Sequence, residues 1–146
     1  MSGDWKNNIQ FECSDRARQD DLNAIDAGLG DFNAEEPEIH KVVQLSVLAR
    51  DSSGKIIGGA VGRTWGQCSE LQQLWISTDA RGQGMGTRLM ELFETEARRR
   101  GSSLVYLDTF SFQARPFYEK CGYHVALETH GFTNGIVKYT MHKLLA

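Results

Sequence analysis

Disulfide frameworks, membrane spans and nucleic-acid grips each need residues that this sequence has little of. The 146 residues include only Cys13, Cys68 and Cys121 as cysteines. These are far apart and odd in number, so they offer neither a disulfide framework nor the C-x-x-C pair of zinc or redox sites. A reducing, cytoplasmic setting is the expectation. No stretch approaches the roughly 20 apolar residues of a membrane span, and Met1 to Gln10 lacks the apolar core of a signal peptide. Basic charge is also scarce: 16 Lys and Arg stand against 19 Asp and Glu, for a formal charge of −3. A nucleic-acid partner would require the opposite balance. His40, His124, His130 and His142 show no metal-ligand spacing, so no metal is expected. Pro37 and Pro116 are the only prolines, and there is no repeat or low-complexity segment.

What remains is an ordinary globular composition, 40% hydrophobic and 24% charged, in a length that suits one domain over residues 1–146. The acids are unevenly placed, with ten against three bases in residues 1–40. Two readings stay open there: a solvated surface, or a field that draws in a cation.

Hydrophobic periodicity divides the chain. Ile9 to Cys13 is a short strand candidate, after which Ser14 or Asp15 can cap a helix that Gly28, Gly30 and Asp31 should stop. Val42 to Arg50 and Ile56 to Trp65 form a hairpin around Asp51-Ser52-Ser53-Gly54, and Cys68 to Ile76 extends it to a meander. A helix from near Gly84 to Arg100 carries Met85, Leu89, Leu92, Phe93 and Ala97 on one stripe, and Gly101 closes it. Leu104 to Thr109 is the next strand, Ala114 to Lys120 a short helix, and Tyr123 to Thr129 with Ile136 to His142 a last strand pair. The fold class is therefore α/β or α+β, a sheet with helices packed on it.

Between strand and long helix lies Arg81-Gly82-Gln83-Gly84-Met85-Gly86. Three glycines in five residues let backbone approach a ligand closely, and the helix N-terminus that follows presents unpaired N–H groups at a positive dipole end. The segment reads as a pyrophosphate cradle. It is neither a Walker motif, which needs G-x-x-x-x-G-K-[ST], nor the dinucleotide G-x-G-x-x-G.

Leu74-Trp75-Ile76 followed by R-G-Q-G-M-G resembles the acetyl-CoA motif Q/R-x-x-G-x-G/A of the GNAT superfamily, with Arg81, Gly84 and Gly86 on its fixed positions. Ala114 to Tyr123, A-R-P-F-Y-E-K-C-G-Y, is similar to that family's A-x-x-F-Y-E-K-x-G-F segment. The resemblance implies a mixed, mostly antiparallel sheet of six to seven strands with a central splayed parallel pair and about four helices. It also implies acetyl-CoA as co-substrate. Backbone at Leu74, Trp75 and Ile76 would hold the pantetheine arm; Arg81, Gly82, Gln83, Gly84, Met85, Gly86 and Thr87 would hold the diphosphate; Ser111, Gln113, Phe117 and Tyr118 would flank the arm. Ser111 stands where the family often has asparagine, and Gln113 is the substitute.

Attack of an amine on a thioester needs the amine neutral, so a base or water chain must take its proton, and the departing thiolate gains from an acid. By resemblance Tyr118 is that acid. Glu70, at the start of the strand before the glycine turn, resembles the catalytic glutamate that some members of the family carry there and is one candidate base; Asp108, which alternation sends to the face opposite Val105 and Leu107, is the other. Phe110 and Phe112 are candidate walls of an acceptor pocket. The implied function is N-acetylation of a small-molecule primary amine, and a homodimer is compatible with it. A protein lysine or N-terminal acetyltransferase and a non-catalytic acyl-CoA sensor are the alternatives.

Overall fold

The computed structural model describes residues 8–146. The chain forms two compact units, Met1–Ile39 and His40–Ala146. In the first, helix α1 spans Gln19–Asn33. The strand expected over Ile9 to Cys13 does not form; those residues are irregular and exposed. The helix also begins later than the sequence suggests, because the Ser14 hydroxyl accepts the Arg16 N–H at 2.8 Å in a local turn of its own. Nor do Gly28 and Gly30 end it. Neither takes a positive φ, so each costs the helix about 1 kcal/mol without breaking it.

The second unit is one six-stranded sheet and two helices. In chain order these are β1 (Val43–Arg50), β2 (Ile56–Trp65), β3 (Cys68–Ile76), α2 (Met85–Arg99), β4 (Leu104–Phe110), α3 (Arg115–Lys120), β5 (His124–Thr129) and β6 (Lys138–Leu144). The spatial order is β1-β2-β3-β4-β6-β5. Every neighbour is antiparallel except β3 and β4, which run parallel. Six strands agree with the expected sheet. Among the described residues there are three α-helices against the four or so expected, and Pro37–Lys41, Thr78–Ala80 and Thr133–Gly135 are single 3-10 turns.

Strand alternation sets the core. On β4, Val105, Leu107 and Thr109 are buried while Asp108 is exposed. From α2 come Leu89, Met90, Phe93 and Ala97, packed with Leu45, Ala60, Leu71 and Met141. Leu92 turns partly to solvent, 37% exposed, and Met90 takes the core position instead. The helix closes as its sequence predicts. Gly101 sits at φ 93°, its N–H donates to the Arg98 carbonyl at 2.9 Å, and Ser102 N–H donates to the Ala97 carbonyl at 2.9 Å.

The parallel pair is short. Pairing runs from Cys68 opposite Leu104 to Leu71 opposite Leu107 and stops. There β3 bulges: Gly62 of β2 faces Leu71 and Val61 faces Gln73, so Gln72 is an extra residue. The bulge requires a glycine opposite, since a Cβ on Gly62 would lie 1.8 Å from the Glu70 carbonyl oxygen. Beyond it, β3 follows β2 away from β4.

Candidate active site

The separation opens a cleft of about 460 Å³. Gln72, Gln73, Leu74 and Trp75 form one wall, and Asp108, Thr109, Gln113, Ala114 and Tyr118 the other. The residues of β3 past Leu71 have no β4 partner, so their backbone on that side is an open strand edge. Two of the expected catalytic residues meet in this cleft. Tyr118, on α3, is 7% exposed, with its ring held edge-on to Phe117 at 5.2 Å and to Tyr123 at 5.9 Å. Burial, with a smaller contribution from Cys121, pushes its phenol up to about 12. At neutral pH it is therefore a proton donor and not a base. Asp108 accepts a hydrogen bond from the Thr140 hydroxyl at 2.6 Å and lies 3.7 Å from the Lys138 ammonium.

Glu70 is placed differently. It precedes the bulge, within the paired part of β3, and its carboxylate accepts the Arg63 guanidinium N–H at 2.9 Å. It is not among the residues that line the cleft. Its neighbour Tyr106 has its phenol raised by burial first and then by the Glu70 charge.

A second hollow, about 240 Å³, lies at the end of β3. Ile76, Ala80, Arg81, Gly82, Gly84, Met85, Gly86, Thr87 and Phe117 line it. Gly82 and Gly84 adopt φ 77° and 79°, which other residues take only with strain. Gly86 allows the Phe117 ring to sit against the helix; a Cβ there would be 3.2 Å from that ring. Arg81 is exposed, yet it donates from Nε to the Ile76 carbonyl at 3.1 Å, tying the loop to the strand end. Gln83 lies apart, lining a neighbouring hollow of about 590 Å³ with Trp75 and Met85.

The turn after β4 is fixed by its own polar groups. Ser111 N–H donates to the Val137 carbonyl at 2.8 Å, and its hydroxyl accepts the Val137 N–H at 3.0 Å. Gln113 Oε1 accepts the Phe110 N–H at 2.9 Å, which leaves the Gln113 amide nitrogen to donate elsewhere. Gln72, Gln73, Thr109, Ala114 and Ala80 also line the two hollows, and sequence reasoning did not single them out. The adjacent glutamines carried a signal: two polar residues between Leu71 and Leu74 break the alternation of a strand, as a bulge does.

An open strand edge beside a glycine-lined helix start fits one class of acyl carrier, and residues 8–123 match the profile of the acetyltransferase (GNAT) family. The chain belongs to that family. As a GNAT protein it is an acyltransferase. The blasticidin-S acetyltransferase of Streptomyces morookaense is 34% identical to it over 93 residues, 63% of this chain and 68% of the relative. A crystal structure from Agrobacterium tumefaciens has a TM-score of 0.79 at 27% identity, with 94% of this chain and 100% of that chain covered. An aminoglycoside 6'-N-acetyltransferase solved with coenzyme A has the same fold, with a TM-score of 0.61 at 23% identity over 77% of this chain and 76% of that one.

The residues of this GNAT chain suit a diphosphate. Gly84 caps α2 without any side-chain hydrogen bond, and the first intrahelical bond runs from Arg88 N–H to the Gly84 carbonyl at 3.1 Å. The N–H groups of Met85, Gly86 and Thr87 are thus left for a ligand, at the positive end of a 15-residue helix. Gly82 and Gly84 carry no Cβ, and the space beside each is open to an approaching ligand.

Proposed function

We propose that this GNAT chain, acting as one domain, transfers an acetyl group from acetyl-CoA to a primary amine of a small molecule by direct attack in a ternary complex. The observation that carries the reading is the meeting of a carboxylate, Asp108, and a buried, protonated phenol, Tyr118, in one cleft along a free strand edge. Acetyl-CoA supplies the activated acyl thioester.

The chain's residues divide the remaining work. Backbone N–H groups from Gln83 to Thr87 hold the diphosphate, with Arg81 bracing the loop that presents them. Leu74, Trp75 and Ile76 bind the amide-bearing arm along the strand edge, as a sheet edge binds an added strand. Gln113 reaches the arm with its free amide nitrogen, whereas the Ser111 hydroxyl is already engaged by Val137. Phe117 packs beside the cradle. Asp108, directly or through one water, takes the first proton of the incoming ammonium and passes it to solvent; the neutral amine forms the C–N bond, the C–S bond breaks, the Tyr118 hydroxyl protonates the departing thiolate, and the second proton shed by the nitrogen restores the phenol.

Asp108 is preferred to Glu70 as the base because Asp108 lines the cleft, whereas Glu70 sits in the closed part of the strand pair; each has a cation beside it, Lys138 at 3.7 Å and Arg63 at 2.9 Å. A small-molecule acceptor is supported by the related blasticidin-S enzyme. The test is thiol release from acetyl-CoA across polyamines, aminoglycosides, amino acids and amino sugars. Asp108→Asn should abolish turnover of the best acceptor, while Glu70→Gln should retain most of it. The reverse result transfers the role to Glu70, and no turnover with any amine rejects the reading.

A further inference from the structure

Three phenylalanines at the tip of β4 have no part in the scheme above. Phe110 and Phe112 stack with centroids 5.5 Å apart and ring planes 10° off parallel. Phe132, from the β5–β6 connection, meets Phe110 edge-on at 5.4 Å. The group is not core: Phe112 is 67% exposed and Phe132 42%. Their position is nevertheless fixed, because the two Ser111–Val137 hydrogen bonds and the Gln113 side chain hold the turn that carries Phe112. A flat aromatic ledge held rigid and left in water gains little for folding.

We infer that this ledge selects acceptors, stacking a planar ring that the acceptor carries beyond its reacting amine. The inference rests on reading the Asp108 cleft as the place where the amine is deprotonated. Phe110 and Asp108 are two residues apart on β4 and so project from the same face, about 7 Å apart along the strand. One end of the site is the Asp108 carboxylate, which lines the cleft with the Lys138 ammonium 3.7 Å away; the other is apolar, flat and open. An amine that gives its proton to Asp108 and a planar ring roughly that distance away fit both ends.

The experiment compares wild type with Phe112→Ser, whose site is exposed enough that folding is not at stake; circular dichroism confirms this. The probes are 2-phenylethylamine, 2-cyclohexylethylamine and butylamine. The expected result is a rise of about tenfold in KM for 2-phenylethylamine, equivalent to about 1.4 kcal/mol of binding. Changes should stay below about threefold for the other two amines, with kcat and the KM for acetyl-CoA unchanged. An equal rise for both rings, a rise for butylamine or no rise for 2-phenylethylamine overturns the inference. Failure of the function reading looks different: no amine is turned over by either protein. In that case calorimetric affinity of 2-phenylethylamine for the CoA-bound chain decides the ledge, which is lost if wild type and Phe112→Ser bind alike.

Discussion

Replacing Tyr118 by phenylalanine isolates one oxygen atom. The ring stays between Phe117 and Tyr123, so stability should change by no more than about 1 kcal/mol and Tm by no more than about 4 °C. What disappears is a proton donor lining the cleft. Loss of a general acid costs about a hundredfold to ten-thousandfold in rate, or at least about 2.7 kcal/mol of barrier. Because burial lifts the phenol to about 12, only about one molecule in 10⁴ carries it ionised at pH 8. The donor is therefore present at every pH where the enzyme is assayed. Wild type and Tyr118→Phe should differ by one constant factor from pH 6 to pH 9, in kcat and not in the affinity for acetyl-CoA. The assay is continuous thiol release with a chromogenic trap, alongside calorimetric titration of CoA. An unchanged kcat would refute the acid role. A deficit that widens with pH would mean that the phenolate, not the phenol, does the work, and weakened CoA binding with normal kcat would reduce Tyr118 to packing.

Three further outcomes follow from the packing. Gly62→Ala sets a methyl 1.8 Å from the Glu70 carbonyl; it should cost about 3 kcal/mol or more and lower Tm by at least about 6 °C in a thermal melt. Lys143→Met should cost about 3–5 kcal/mol in urea denaturation, since Glu94, 4% exposed and 2.5 Å from the Lys143 ammonium, loses its partner. Adding Glu94→Leu should recover most of that loss. Stability should also fall in strong alkali: burial raises the Tyr118 and Tyr123 phenols above their usual 10.0, so the folded chain keeps protons that the unfolded chain releases. The contribution is whole below pH 10 and is lost as pH climbs toward 12, which denaturation midpoints at pH 9, 10 and 11 will register.

Most of the sheet was legible because its signals are local. The bounds of β2 and β3 coincide with the alternating runs between the Asp51–Gly54 turn, Gly66-Gln67 and the glycine turn. The long helix α2 starts and stops where its glycines dictate, and Pro116 sits in the first turn of α3. The first unit was less legible, for equally physical reasons. A strand over Ile9 to Cys13 needs a neighbour that the run cannot specify, and the Ser14 hydroxyl serves two local geometries equally well until one is chosen. Within the cleft, alternation alone sent Asp108 to the face opposite Val105 and Leu107, because β4 is regular from Leu104 to Phe110. It gave no means of telling that Asp108 lines the cleft and Glu70 does not.

That difference in placement depends on where the parallel ladder ends. Glu70 and Asp108 both face away from the core, one on each strand of the pair, yet only one lines the cleft. Glu70 lies opposite Tyr106, where β3 and β4 still share hydrogen bonds; Asp108 lies one residue past the last pair, Leu71 with Leu107. The extra residue Gln72 and the glycine that accommodates it determine which carboxylate lines the cleft. The same break frees the β3 backbone edge and reverses its faces, so that Ser69 and Leu71 are buried before it, while Leu74 and Ile76 pack against the core after it. One irregularity in strand pairing thus makes the opening, supplies its hydrogen-bonding wall and leaves Asp108 as the carboxylate that lines it, and the Gln72-Gln73 pair is its trace in the sequence.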